Sequence, residues 1–214
     1  MKGTYTLPTE SDGARFNIMP EFFTGCVQDG PFANYTNHVG PGKRLTDHCI
    51  IRQMNTDRPM ASLTHAHIQS ILNQPTYDEM WNAMDGIPFK EDIRLHDAGH
   101  IALGGEMVSF YTSSNEPAFW IHHAGLDRIW WKWQNADLSK RLYDVAGRVN
   151  NTEPPGALSM DYPLPFADRF PSVTVESTVD TRAEPYCYTY DSSAAARGAS
   201  FLLLSLPLLV ALYL

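Results

Sequence analysis

His96 and His100 stand four residues apart in a stretch whose pattern predicts a helix over residues 91–102. That spacing puts both imidazoles on one helical face, one turn apart, where they can share a metal ion. The adjacent pair His122 and His123 falls on the next predicted helix. Neighbouring helical residues point about 100° apart, so one of the pair can join His96 and His100 while the other packs or hydrogen-bonds elsewhere. Three neutral imidazoles from two antiparallel helices suit copper or zinc and leave a coordination position open for a small ligand. Asp127 follows His123 by four residues on the same face and is a candidate acceptor for the second nitrogen of a metal-bound imidazole. Trp120, Trp130, Trp131 and Trp133 crowd this helix, a wall that would keep a metal centre dry. A zinc hydrolase fits less well. The zincin pattern places a glutamate after the first histidine as general base, and Asp97 here is one methylene shorter.

The elements that must position these residues are helices. Leu63, His67 and Ile71 recur at helical spacing and predict a helix over residues 60–73, closed by Pro75. Thr76 to Glu79 reads as a capping box that opens a helix over residues 77–85, stopped by Gly86. The pair Gly104 and Gly105 terminates the helix that carries His96 and His100. Pro117, at a favoured first-turn position after the capping candidates Ser114 and Asn115, starts a helix that runs to about Gln134. Residues 1–57 show no clear period and read as irregular segments on a helical core, and the proline-rich 150–190 reads as coil or short strands. The fold class is therefore mainly α, a partial helical bundle with irregular and short β segments.

With 214 residues, 43% of them hydrophobic and 19% charged, the chain has enough apolar content for one domain with a core. A net charge of -8 without a basic patch excludes nucleic acid as a partner. The domain reading is a core over residues 1–190, a small-residue linker over 191–199 and an uncharged hydrophobic tail over 200–214. The tail is short for a spanning helix, which needs roughly 20 residues. It fits a lipid-anchor signal or a simple membrane tail, with Ser192, Ser193 and Ala194 as candidate cleavage positions. No apolar stretch follows Met1, so no signal peptide is read there. The two ends disagree, and truncation at the front reconciles them. The expected location of the complete protein is secreted or anchored at the cell surface.

Leu95-His96-Asp97-Ala98-Gly99-His100, Gly104-Gly105-Glu106-Met107, Asn115-Glu116-Pro117-Ala118-Phe119-Trp120-Ile121-His122-His123 and Asp127-Arg128-Ile129-Trp130 together resemble the second copper block (CuB) of fungal tyrosinases and catechol oxidases, the type-3 copper proteins. Cys26 to Ala33, His48-Cys49 and Tyr188-Thr189-Tyr190 extend the resemblance to roughly residues 20–190. It implies that His96, His100 and His123 bind copper, that His122 supports them and that Phe119 sits beside the metal. The cofactor implied is copper, as two ions in a complete site, of which this chain holds at most the CuB ion. The partners implied are dioxygen and a phenolic substrate, an o-diphenol or a monophenol, oxidised to an o-quinone.

The upstream histidine block of the first copper is absent. His38, His48, His65 and His67 do not have its spacing and are expected to be structural or exposed. One copper supplies one electron per cycle, whereas oxidation of a diphenol needs two, so this chain alone is expected to be a poor or inactive oxidase. A non-catalytic metal-binding remnant or an oxygen-binding module is the alternative. Asp97 stands where many tyrosinases have asparagine and, with Glu91, is a candidate proton-handling carboxylate; Glu91 also suits a solvated first-turn position. Ile101 would offer an apolar edge to an aromatic ring. We expect Cys26 to pair with Cys49 and Cys187 to pair outside this segment. Without facing helices the chain should expose apolar surface and dissolve poorly.

Overall fold

The computed structural model describes residues 25–191, except 56, 58, 86–92, 150–155 and 167–168. The chain divides into two compact units, residues 1–162 and 163–214. Among the described residues the first unit is built on helices α1 (His65–Leu72), α2 (Tyr77–Met84), α3 (Leu95–Leu103), α4 (Pro117–Asn135) and the single turn α5 (Leu138–Arg141). An antiparallel pair, β1 (Thr36–Asn37) and β2 (His48–Cys49), matches Thr36 to Cys49 and Asn37 to His48. The second unit contains β3 (Pro163–Leu164) paired with β4 (Val173–Thr174), and the one-turn α6 (Glu176–Val179). The Tyr188 amide donates to the Thr181 carbonyl at 2.8 Å, and the Tyr188 and Tyr190 rings meet edge-on. No described helix is long and apolar enough to cross a membrane, and the hydrophobic tail 200–214 and linker lie outside the described residues.

Local chemistry accounts for the helix starts. The Thr64 side chain accepts from the His67 amide, so α1 begins five residues later than the predicted position 60; Pro59–Ala61 form a separate 3-10 turn. The Thr76 hydroxyl accepts from the Glu79 amide and donates to the Glu79 carboxylate at 2.7 Å, the capping box read from the sequence. At α4 the predicted caps Ser114 and Asn115 instead form a 3-10 turn with Ser113, and Glu116 is the cap, accepting from the Ala118 amide at 3.1 Å. A longer acid suffices there because Glu116 is already held by Arg52. α3 begins at Leu95, later than predicted; Ile93 and Arg94 are extended or irregular, and Glu91 lies outside the described residues.

The apolar core lies where α1, α2, α3 and α4 meet: Ile71, Met80, Met84, Leu95, Leu126 and Trp133 are buried together. Trp133 also donates to the Gln74 carbonyl at 2.7 Å, and the Arg141 guanidinium covers its ring. The tryptophans are therefore not the expected wall. Trp133 belongs to the core, Trp130 packs against it and Trp120 is 64% exposed. Residues follow the helical period, so four tryptophans spread around α4 cannot share one face.

A second, polar core braces the helices that carry the histidines. Cys26 and Cys49 form a disulfide, and the strap that follows Cys49 runs against the end of α3. The Gln53 amide donates to the Leu103 carbonyl, the Asn55 amide to Ala102, and the Glu106 amide to Ile51. The approach is so close that a Cβ at Gly104 would meet Gln53 O at 2.3 Å, and one at Gly105 would meet Ile51 O at 1.9 Å. Both glycines have positive φ, at 60° and 52°. His48 and Glu106 pair at 2.8 Å in the interior, and Arg52 forks onto Glu116 with bonds of 2.8 and 2.6 Å. Burial pulls the His48 pKa down, but the Glu106 carboxylate and the Thr46 carbonyl outweigh it, and the net shift is upward. Burial also raises Glu106, against the pull of His48.

Candidate metal centre

α3 and α4 bring four imidazoles together. His100 Nε2 lies 3.1 Å from His96 Nε2 and 3.3 Å from His123 Nε2, separations that suit nitrogens aimed at one ion. His122 is close by: one ring nitrogen each of His96, His100 and His122 also fall within 4.8 Å of one another. Proximity thus groups His122 with the first pair, whereas the meeting of Nε2 atoms groups His123. The His122 Nε2 is already 3.1 Å from the His96 carbonyl oxygen. Both His122 and His123 thus stand within reach of the His96–His100 pair.

The outward nitrogens of His96 and His100 are held from behind, as is usual for metal-bound imidazoles. His100 Nδ1 meets the Met107 carbonyl at 2.5 Å. His96 Nδ1 meets the Asp85 carboxylate at 2.5 Å, with Asp97 further off at 3.6 Å. Asp85, rather than Asp127, stands at His96; Asp127 is half-buried on α4. Phe119 lies against His123, ring centroids 4.1 Å apart, and edge-on to His100 at 6.0 Å. Ile101 is half-buried on α3 and Asp97 is exposed.

Asp85 and the Met107 carbonyl escaped the sequence reading. Asp85 closes the helix read over residues 77–85, and nothing in its neighbours signals a contact with His96. Met107 contributes a main-chain atom, invisible to residue type.

Electrostatics keep most of the cluster ready for a metal, which needs neutral imidazole. Burial and the neighbouring imidazoles lower His123. Burial lowers His100 against the Met107 carbonyl, and burial with three neighbouring imidazoles takes His122 to about 4. His96 is the exception: burial pulls it down, but Asp85 and Asp97 raise it overall. Burial, with Asp85, also raises Asp97.

The other histidines do not join. His38 pairs with Asp47 at the surface, His48 with Glu106 in the interior, His65 is exposed, and His67 is half-buried on α1. Among the described residues no second group of three metal-ligating side chains converges.

The fold and site define a helical protein with a polyhistidine metal centre on two packed helices. The family model for the common central domain of tyrosinase matches residues 2–136, and the chain belongs to the tyrosinase family. It is 30% identical over 196 residues to Tyrosinase P of Aspergillus terreus, covering 78% of this chain and 51% of that protein. It is 28% identical over 204 residues to Oxidase hkm6 of Aspergillus hancockii, covering 86% and 68%. Its fold superposes on a polyphenol oxidase from Thermothelomyces thermophila with a TM-score of 0.71 at 25% identity, covering 78% of this chain and 51% of that one. The chain thus spans about half the length of Tyrosinase P and of the polyphenol oxidase. The family implies copper, and a cluster of imidazoles in which His100 is held by a carbonyl and His96 by a carboxylate is a donor set that fits it.

Proposed function

We propose that the chain carries the CuB half of a tyrosinase-type copper oxidoreductase, with His96, His100 and His123 as the ligands. The observation that carries this reading is the meeting of their three Nε2 atoms, 3.1 and 3.3 Å from the central one. Copper, when bound, supplies the redox and dioxygen chemistry. The chain's own residues do the rest. Asp85 and the Met107 carbonyl hold the His96 and His100 rings in place, and Phe119, against His123, offers apolar surface suited to an aromatic ring, a part we assign also to Ile101. Asp97, exposed beside His96, is placed to take a phenolic proton.

The substrates proposed for the complete protein are o-diphenols, and monophenols secondarily, with o-quinones as products. The family match and the names of its relatives support this class. Because two-electron oxidation needs a pair of coppers, the chain alone should bind one copper and oxidise catechol slowly or not at all. We further propose residues 200–214 as a membrane attachment and a secreted or cell-surface location for the complete protein.

The test is copper titration of the purified chain, followed by catechol with oxygen uptake recorded. One copper per chain, lost in His123→Ala, supports the reading. No copper uptake, or tight uptake that survives His123→Ala, defeats it. A second reading as a non-catalytic metal-binding module is favoured if one copper binds and a longer version with an upstream histidine block also fails to consume oxygen.

A further inference from the structure

Gly99 sits in the interior of α3, where glycine costs helix stability relative to alanine. The reason lies on the neighbouring helix. A Cβ on Gly99 would stand 2.2 Å from Cε1, 2.5 Å from Nδ1 and 2.8 Å from Nε2 of His122. The His122 ring therefore fills the volume that any side chain at position 99 would need. The same ring reaches the His96 carbonyl with Nε2 at 3.1 Å. A carbonyl only accepts, so Nε2 carries the proton and the lone pair is on Nδ1. That nitrogen lies 2.5 Å from the position a Cβ at Gly99 would take. The His122 ring also lies nearly parallel to that of His96, 8° between planes at 5.9 Å.

We propose that His122 is a positioning residue, keyed into the gap at Gly99 and tied to the His96 carbonyl, which fixes the spacing and rotation of α3 against α4. The meeting point of the His96, His100 and His123 nitrogens follows from that spacing. The inference rests on the ligand assignment proposed above and gives the fourth imidazole a role that proximity alone does not reveal.

The test uses the full chain with Gly99→Ala, His122→Ala and the double variant, melted without metal. Gly99→Ala should lower Tm strongly, and the double variant should melt above Gly99→Ala, because the clashing ring is gone; contacting residues couple in this way. A double variant whose loss equals the sum of the two single losses overturns the key. The second arm is copper(II) binding and its electron paramagnetic resonance spectrum. The amide nitrogen of His122→Gln reaches about where Nε2 stands, so this variant should keep the parent spectrum and one copper. His122→Phe keeps a ring but no donor; it should still take one copper, about tenfold more weakly and with an altered spectrum. Loss of copper in His122→Gln to the level of His123→Ala would make His122 a ligand and overturn the proposal. The melting arm needs no copper. If the parent chain takes up none, the ligand assignment has failed, and the coupling between positions 99 and 122 still decides the key.

Discussion

Asp85 is the residue through which the centre is most open to a single change. It holds His96 from behind at 2.5 Å, and such partners are worth about 10–100-fold in metal affinity. Asp85→Ala should weaken copper binding by that factor in a competition titration, with Asp85→Asn intermediate because it keeps an acceptor. Away from the centre, His48 gives a pH signature. Its pKa is raised above the ordinary 6.5 by Glu106 and Thr46 against the cost of burial. A group raised on folding contributes stability that is fully present below its unfolded value and lost as pH rises through the folded one. The stability advantage of the parent over His48→Gln should therefore be largest below pH 6.5 and shrink above it, read as the difference in Tm across a pH series. The histidine cluster was legible because His-x-x-x-His and a following His-His pair place imidazoles on two neighbouring helices, and the family motif around them pointed to copper. What the spacing left open was which of His122 and His123 turns inward; the His100–His123 Nε2 contact and the contacts of the His122 ring with Gly99 and the His96 carbonyl bear on that.

At the scale of elements, the helices were read well where the chain announces them. Thr76 with Glu79 and Pro117 are local signals, and α2 and α4 start where these residues lie. α1 and α3 start later than predicted because apolar periodicity does not mark a first turn as a cap does. Glu116 was passed over as a cap because its fitness depends on Arg52, a distant residue. Gly104 and Gly105 were read as a terminator, which they are, but the strap pressed onto them was not legible. That strap makes the second glycine demanding: Gly105→Ala should cost about 1–2 kcal/mol in chemical denaturation from positive φ alone, and more once the contact with Ile51 O is counted. The disulfide ties the same region by closing a loop of sequence separation 23, and Cys26→Ser with Cys49→Ser should cost about 3 kcal/mol by the same measurement.

At the scale of the molecule, the fold class was legible because a helical period survives in any window, and the family because its motifs are dense around the histidines. Exposure was legible only as a general expectation. The structure gives it places: Trp120 and Ile121, adjacent on α4 beside the histidine pair, are 64% and 75% exposed, and Phe110 is 86% exposed. Such surface promotes association. Trp120→Ser with Ile121→Lys should raise the soluble yield of the chain without changing its copper stoichiometry, checked by sedimentation and metal analysis.

The polar brace also sets an order of events during synthesis. Its contacts join residues far apart in the chain: His48 to Glu106 across 58 positions and Arg52 to Glu116 across 64. A ribosome releases the strap well before the residues it must grip, and contacts of long sequence separation are reached slowly. The nascent strap must therefore wait, its charged side chains in water, until α3 and the start of α4 have emerged. Both acceptors, Glu106 and Glu116, leave the ribosome ahead of His122 and His123, so the brace can close before the last two histidines of the cluster arrive.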